Sequence, residues 1–242
     1  MNTQDIVIFT DGSSSGNPGP GGWATIVALT DGTVRELGGR VEHTTNNRME
    51  LQAAIESFKT IKNEQGNVVI NTDSSYLIQG ITKWVKGWVK NNWITSTKTE
   101  VLNRNLWQEL IPLLEEREEK GTVSWKHISG HSGVPGNERC DEIATSFTFQ
   151  KPFPLFFGPV SDYKVDLFTV VANRIKKEVK DEKKSRSKLK AFSYLSMLDR
   201  KIEIHKTWAE CEARVKGKRG AKFKKSLSQD DERNIIEEWH KK

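Results

Sequence analysis

The sequence predicts an α/β fold built on a mixed sheet, followed by a smaller α+β module. Three observations carry this expectation. Apolar runs of strand length first follow one another across short turns, then alternate with helical patterns up to about residue 147. Two of those runs, "DIVIFTDG" and "NVVINTDSS", end in an aspartate, Asp11 and Asp73. Charge is divided along the 242 residues: positions 1–150 hold 14 Lys and Arg against 18 Asp and Glu, and positions 151–242 hold 24 against 14. A basic second part on an acidic first part suggests two different tasks, since basic modules bind polyanions, although a basic tail also serves simply to solubilise.

Taken in order, "DIVIFTDG" reads as a strand, and "GGWATIVALTDGTVRELGGRVEH" as two more joined at Asp31-Gly32, giving an antiparallel meander. "NNRMELQAAIESFKTIK" places Met49, Leu51, Ala54, Ile55 and Phe58 at helical spacing, with a start near Asn46 or Asn47. "NVVINTDSS" is a fourth strand. "SYLIQGITKWVKGW" and "NRNLWQELIPLLEER" are helical, "TVSWKHISGH" is a fifth strand, and "NERCDEIATSFTF" is a helix. The next stretch, "QKPFPLFFGPV", is too apolar for a solvated linker and is expected to pack on a neighbour. "NRIKKEVKDEKKSRSK" reads as a solvated helix or tether. From Leu189 the pattern is strand, strand, helix "TWAECEARV", strand "AKFKKSL" and helix "DDERNIIEEWHKK".

With 35% hydrophobic and 29% charged residues the composition is that of a globular protein. No apolar run approaches the ~20 residues of a membrane span, and no secretory signal is visible at "MNTQDIVIF". Cys140 and Cys211 lie far apart, outside any metal-ligand spacing, as expected of reduced thiols in the cytoplasm.

A carboxylate at the end of a buried strand needs a cation or donors. Asp11 and Asp73 end strands, Glu50 falls in the first turn of a helix, and Asp141 falls early in another. Each alone reads equally well as a cap or surface charge. Together, four carboxylates from four separate elements are what hard divalent cations require.

The segments "FTDGSSSGNPGPGGW", "TTNNRMELQAAI", "NTDSSYLIQGI" and "HISGHSGVPGNERCDEIA" resemble, in order and spacing, the four signature segments of bacterial type 1 ribonuclease H over residues 5 to about 147. The resemblance implies that family's mixed five-stranded sheet flanked by helices. It also implies endonucleolytic hydrolysis of the RNA strand of RNA–DNA hybrids, leaving 3′-hydroxyl and 5′-phosphate ends. On it, Asp11, Glu50, Asp73 and Asp141 are ligands to two Mg²⁺ ions, with Mn²⁺ the alternative, and His131 assists proton transfer or product release from a glycine-rich loop. Asn17, Asn46 and Asn47 match contacts to 2′-hydroxyls and minor-groove edges, and Thr45 and Asn103 match positions that hold a DNA phosphate. Asn46 and Asn47 equally suit a helix N-cap. Ser75 and Ser14 depart from the family's usual glutamine and its cysteine or alanine.

"KWVKGWVKNNWITSTK" interleaves Trp84, Trp88 and Trp93 with Lys86 and Lys90, a pattern suited to stacking and phosphate neutralisation, and it resembles the family's basic protrusion. "IHKTWAECEARVKGKRGAKFKKSLSQDDER" resembles the hybrid-binding, or viroplasmin-like, domain, which usually stands at the N-terminus of such enzymes; the glycine usual before its second strand is absent near Glu203. That resemblance implies a grip on the hybrid by Trp208, Phe223, Lys224 and Lys225, although Trp208 and Phe223 equally suit a small core. The expected organisation is a catalytic domain at 1–147, a linker at 148–188 and a hybrid-binding domain at 189–242. The expected partner is an RNA–DNA hybrid, with no membrane and a monomeric chain. The rival reading is a catalytically silent hybrid-binding protein.

Overall fold

Residues 5–130, 132–169 and 189–240 are described by the computed structural model. They divide into two units, one before and one after the undescribed stretch 170–188. His131 and the charged segment 173–188 lie outside the described residues.

In the first unit β1 (Asp5–Ser14), β2 (Gly19–Ala28) and β3 (Thr33–Thr44) form the antiparallel meander. Gly32, at φ +86°, makes the second turn, with the Asp31 carboxylate accepting the Thr33 N–H at 2.8 Å. β4 (Asn67–Thr72) lies parallel to β1, and β5 (Val123–His127) lies parallel to β4. The sheet order is β5-β4-β1-β2-β3-β6. The sixth strand, β6 (Phe157–Pro159), corrects the expected count of five; it pairs antiparallel with β3 at the edge, where a proline is tolerated.

β1 is buried on both faces. Ile6 and Ile8 join one core with Leu51, Ile55 and Phe58 of α1 (Asn46–Thr60), and with Trp107 and Leu110 of α4 (Arg104–Glu118). Val7 and Phe9 join the opposite core with Cys140, Ile143 and Ala144 of α5 (Pro135–Thr148). A strand covered on both faces reads as a continuous apolar run. Between β4 and α4 the chain forms α2 (Ser75–Gln79), a π-helical turn at Gly80–Trp84, and α3 (Val85–Lys90). The apolar stretch after α5 packs on the second core through Phe153, Leu155, Phe156, Val160, Tyr163 and Leu167.

The second unit is a three-stranded antiparallel sheet in the order β8-β7-β9, from β7 (Ser193–Leu198), β8 (Lys201–His205) and β9 (Lys222–Ser226). α6 (Trp208–Val215) starts with a capping box between Thr207 and Glu210. α7 (Gln229–His240) sets Ile235 and Trp239 against Leu195, Met197 and Ile202.

Candidate active site

The β1–β4 register brings the first two acids together. Thr10 pairs with Thr72 where the parallel β1–β4 pairing stops, so the next residues, Asp11 and Asp73, follow the same rung. Asp73 directly follows the end of β4, whereas Asp11, expected at a strand end, lies inside β1, which continues to Ser14 paired with β2. Glu50 arrives from the first turns of α1. Gly12 makes that approach feasible: a Cβ there would run into the backbone of Met49 and Glu50, so only glycine lets α1 lie this close to β1. One carboxylate oxygen each from Asp11, Glu50 and Asp73 lie within 4.8 Å of one another. The three line a cleft of about 520 Å³, with Asn46 and Asn47 on one side and Asn137, Glu138 and Asp141 on the other.

The electrostatics of this cleft are unfavourable without a cation. Burial, then the Asp73 and Asp141 carboxylates, push the Asp11 carboxyl up to about 8, against the pull of the Gly12 N–H it accepts at 2.8 Å. Burial, then Asp11 and Asp73, push Glu50 well above the usual carboxylate range. Among the described residues one oxygen of Glu50, Oε2, is buried with no hydrogen-bond partner, and Oε1 accepts a long 3.4 Å contact from Asn46, while the Gly12 N–H pulls the carboxyl back down. Hard oxygen donors, like-charged and partly orphaned, are a fit for a divalent ion.

Asn137, which sequence reasoning did not single out, donates from Nδ2 to Asp73 at 3.2 Å, while its Oδ1 is buried without a partner among the described residues. A polar residue on a helix carries no pattern that marks it; its only signal was its place four residues before Asp141. Asp141 lines the cleft and accepts a long 3.5 Å contact from Thr145. Gly136, in the first turn of α5, packs on the ring of Phe9, which a Cβ would strike.

Thr45, rather than Asn46 or Asn47, occupies the N-cap of α1, and its hydroxyl makes no capping bond. Asn46 and Asn47 are the first helical residues and are exposed toward the cleft, and Asn17 is exposed in the β1–β2 turn. Asn103, left-handed at φ 60°, is held by Arg48, which donates to its Oδ1 at 3.4 Å, and donates to the Tyr76 hydroxyl at 3.2 Å.

Trp84 and Trp88 are half-buried, with their rings 5.6 Å apart and tilted by 45°, and Lys86 and Lys90 are exposed. Trp93 corrects the expectation of a third stacking indole: it is 8 % exposed and belongs to the core with Val101 and Trp107. Asn92 and Trp93 take φ 50° and 64°, and this left-handed pair reverses the chain and turns the indole inward.

In the second unit, Trp208 is 38 % and Phe223 is 55 % exposed, so they are not its core. Their rings lie 5.1 Å apart, with Tyr194 at 5.8 Å from Trp208. Lys224 pairs with Glu238 at 2.5 Å, and Lys225 donates to the Leu189 carbonyl at 2.7 Å.

Comparison with known proteins points the same way. A family model described as RNase H matches residues 3–148, and one described as Ribonuclease H1 N-terminal domain matches residues 200–231. The chain is 47 % identical over 150 residues to the Ribonuclease H of Thermosynechococcus vestitus, covering 61 % of this chain and 91 % of that one. It is 48 % identical over 139 residues to the Ribonuclease H of Geotalea uraniireducens, covering 57 % and 90 %. Among solved structures, LC9-RNase H1, titled a type 1 RNase H with the type 2 active-site motif, superposes with a TM-score of 0.56 at 28 % identity over 71 % of this chain and 85 % of that one.

Proposed function

Because the chain belongs to the RNase H family and is a ribonuclease H enzyme, we propose that it hydrolyses the RNA strand of RNA–DNA hybrids at the Asp11–Glu50–Asp73 cleft. The convergence of those three carboxylates within 4.8 Å, from inside β1, from the start of α1 and from just past the end of β4, carries this reading. Asp11, Glu50, Asp73 and Asp141 would hold a pair of Mg²⁺ ions, with Mn²⁺ as substitute. Such ions, when bound, supply Lewis acidity and offset the negative charge that grows on a phosphodiester during in-line displacement.

The protein's own groups supply the rest. Water adds to phosphorus, the bond to the 3′ oxygen breaks, and that oxygen takes a proton, giving 3′-hydroxyl and 5′-phosphate ends. Asn137 holds Asp73 in orientation through its 3.2 Å hydrogen bond. Asn17, Asn46 and Asn47 recognise 2′-hydroxyls from the rim, which distinguishes an RNA strand from DNA. Thr45 and the braced Asn103 receive a phosphate of the DNA strand. Trp84 and Trp88 offer partly exposed rings to the duplex while Lys86 and Lys90 neutralise phosphates. His131, read from sequence alone, moves the proton. In the second unit Trp208, Phe223, Lys224 and Lys225 grip a hybrid backbone in the manner of a viroplasmin-like domain, raising the effective concentration of substrate at the cleft.

Hydrolysis of a labelled RNA–DNA hybrid in Mg²⁺ tests the reading. Wild type is expected to cut only the RNA strand of the hybrid, and Asp11→Asn to be inactive. Equal cleavage of single-stranded or double-stranded RNA would contradict hybrid specificity. Tight binding without any cleavage would support the silent-binder alternative.

A further inference from the structure

Glu36 centres a buried polar cluster on α5, the helix that also lines the cleft, and the strap residues of this cluster come after residue 148, where the family match ends. Glu36 of β3 has a fully buried side chain. Arg139 of α5 grips it with two parallel bonds, Nε to Oε1 at 2.7 Å and Nη2 to Oε2 at 3.0 Å. The remaining acceptor positions go to the segment after α5: the Tyr163 hydroxyl donates to Oε1 at 2.7 Å, and the Phe156 N–H donates to Oε2 at 2.9 Å. Phe153 lies under the Arg139 guanidinium at 4.6 Å, and the Phe156 and Tyr163 rings meet at 4.8 Å, tilted by 46°. β6 then pairs with β3, with Arg35 over the Phe157 ring at 4.9 Å.

Helical geometry links this cluster to the cleft. Asn137 and Asp141 are four residues apart and share the face of α5 that lines the cleft. Arg139 lies midway between them in sequence, about 200° around the axis and so on the opposite side. A rotation of α5 that moved Arg139 would swing Asn137 and Asp141 the other way. A bidentate arginine–carboxylate pair fixes angle as well as distance, so it resists that rotation better than apolar contacts alone.

We propose that Arg139, Glu36 and the strap from Phe153 to Phe168 are positioning residues for the reaction: they set the rotation of α5, and with it the place of Asp141 and Asn137 at the metal cleft. On this account the catalytic unit extends to about Phe168. The proposal rests on the reading of Asp141 as a metal ligand.

Full-length Arg139→Lys and Tyr163→Phe test it. Lysine keeps the charge and loses the fork; phenylalanine removes one hydrogen bond and keeps the ring. Mn²⁺ alone is titrated, with binding followed by loss of the free-ion electron paramagnetic signal, and hybrid cleavage is then measured across Mn²⁺ concentration. Arg139→Lys is expected to weaken Mn²⁺ binding roughly tenfold, in line with other residues that orient metal ligands indirectly. Its half-maximal Mn²⁺ concentration for cleavage should rise by the same factor, with kcat recovering toward wild type at saturating metal. Tyr163→Phe should shift both in the same direction by less. Lowered melting temperatures with wild-type Mn²⁺ titrations would overturn the proposal, leaving the strap only a structural brace; if Arg139→Lys does not fold, Tyr163→Phe decides alone. Asp11→Asn run alongside separates the two layers. If it keeps wild-type cleavage and Mn²⁺ binding, the reading of the cleft fails, whatever the strap variants do.

Discussion

Asp11 and Glu50 are costly residues for the fold. Each is buried beside other carboxylates, and Glu50 keeps an oxygen without a donor among the described residues. Removing one charge should therefore stabilise the metal-free protein while abolishing the reaction, the trade expected where a site is built for a ligand. In chelator, Asp11→Asn is expected to melt a few degrees above wild type, a gain of about 1 kcal/mol. Added Mg²⁺ should raise wild type toward it and leave the variant unmoved, since a ligand stabilises only the form that binds it. Calorimetry with and without Mg²⁺ measures both; a variant that melts lower in chelator would show that the carboxylates are not strained. The acids were legible in sequence because two apolar runs each close on Asp, and parallel pairing up to Thr10 and Thr72 brings them to the same rung. That β1 continues past Asp11 to Ser14 was not legible, because its last residues are small and polar. Asn137 was not legible, because its role depends on which way α5 is turned, and a sequence does not display helix rotation.

At the scale of elements, the segments that escaped sequence reading lack a period. Trp84 and Trp88 meet as their spacing suggests, but Trp93 follows a left-handed residue, after which the helical wheel no longer predicts direction. Trp93→Ala is accordingly expected to cost about 3–5 kcal/mol of stability. Trp84→Ala should instead weaken hybrid binding with a smaller loss of stability. Urea unfolding and a binding titration separate the two, and a Trp93 variant of wild-type stability would contradict its core placement. The strap escaped for a related reason: three prolines and scattered aromatics carry neither the two-residue nor the 3.6-residue period, so its apolar character was visible but its partner Glu36 was not.

That partner has a pH signature. Burial alone would raise the Glu36 carboxyl, but the Arg139 fork, the Phe156 N–H and the Tyr163 hydroxyl outweigh it and hold it below its ordinary value. The groups facing it are Arg139, which also pairs with Glu142, and Tyr163, whose own ionisation burial and Glu36 push further up. A carboxyl depressed by folding contributes stability that is whole above its unfolded pKa, about 4.5, and is lost as pH falls through the folded value. Glu36→Gln should be the less stable protein at pH 7, and its melting temperature should fall less than that of wild type between about pH 5 and pH 3. Parallel melting curves across that range would show that Glu36 is not ionised in its cradle.

Taken as a whole molecule, the chain joins an acidic unit that holds the cleft to a basic one, and on the proposed function the two take different shares of substrate binding. The strap revises where they can be separated. A chain ended near Lys151 would strip Glu36 and Arg139 of Tyr163, Phe156 and Phe153 and bare the core beneath Leu167. A chain ended after Thr169 keeps them. The longer fragment is thus expected to fold and cut hybrid at saturating substrate, and the shorter one to be less stable by several kcal/mol. Against the full chain, the longer fragment should bind hybrid about 10- to 100-fold more weakly, because the second grip no longer acts at high effective concentration. Its affinity should also fall less steeply with salt, since each lost lysine–phosphate contact removes about 0.9 from the logarithmic slope. With Lys224 and Lys225 as those contacts, the slope should flatten by about 2. Identical slopes for the fragment and the full chain would mean that the second unit makes no phosphate contacts on the hybrid, and its exposed aromatics would then need another partner.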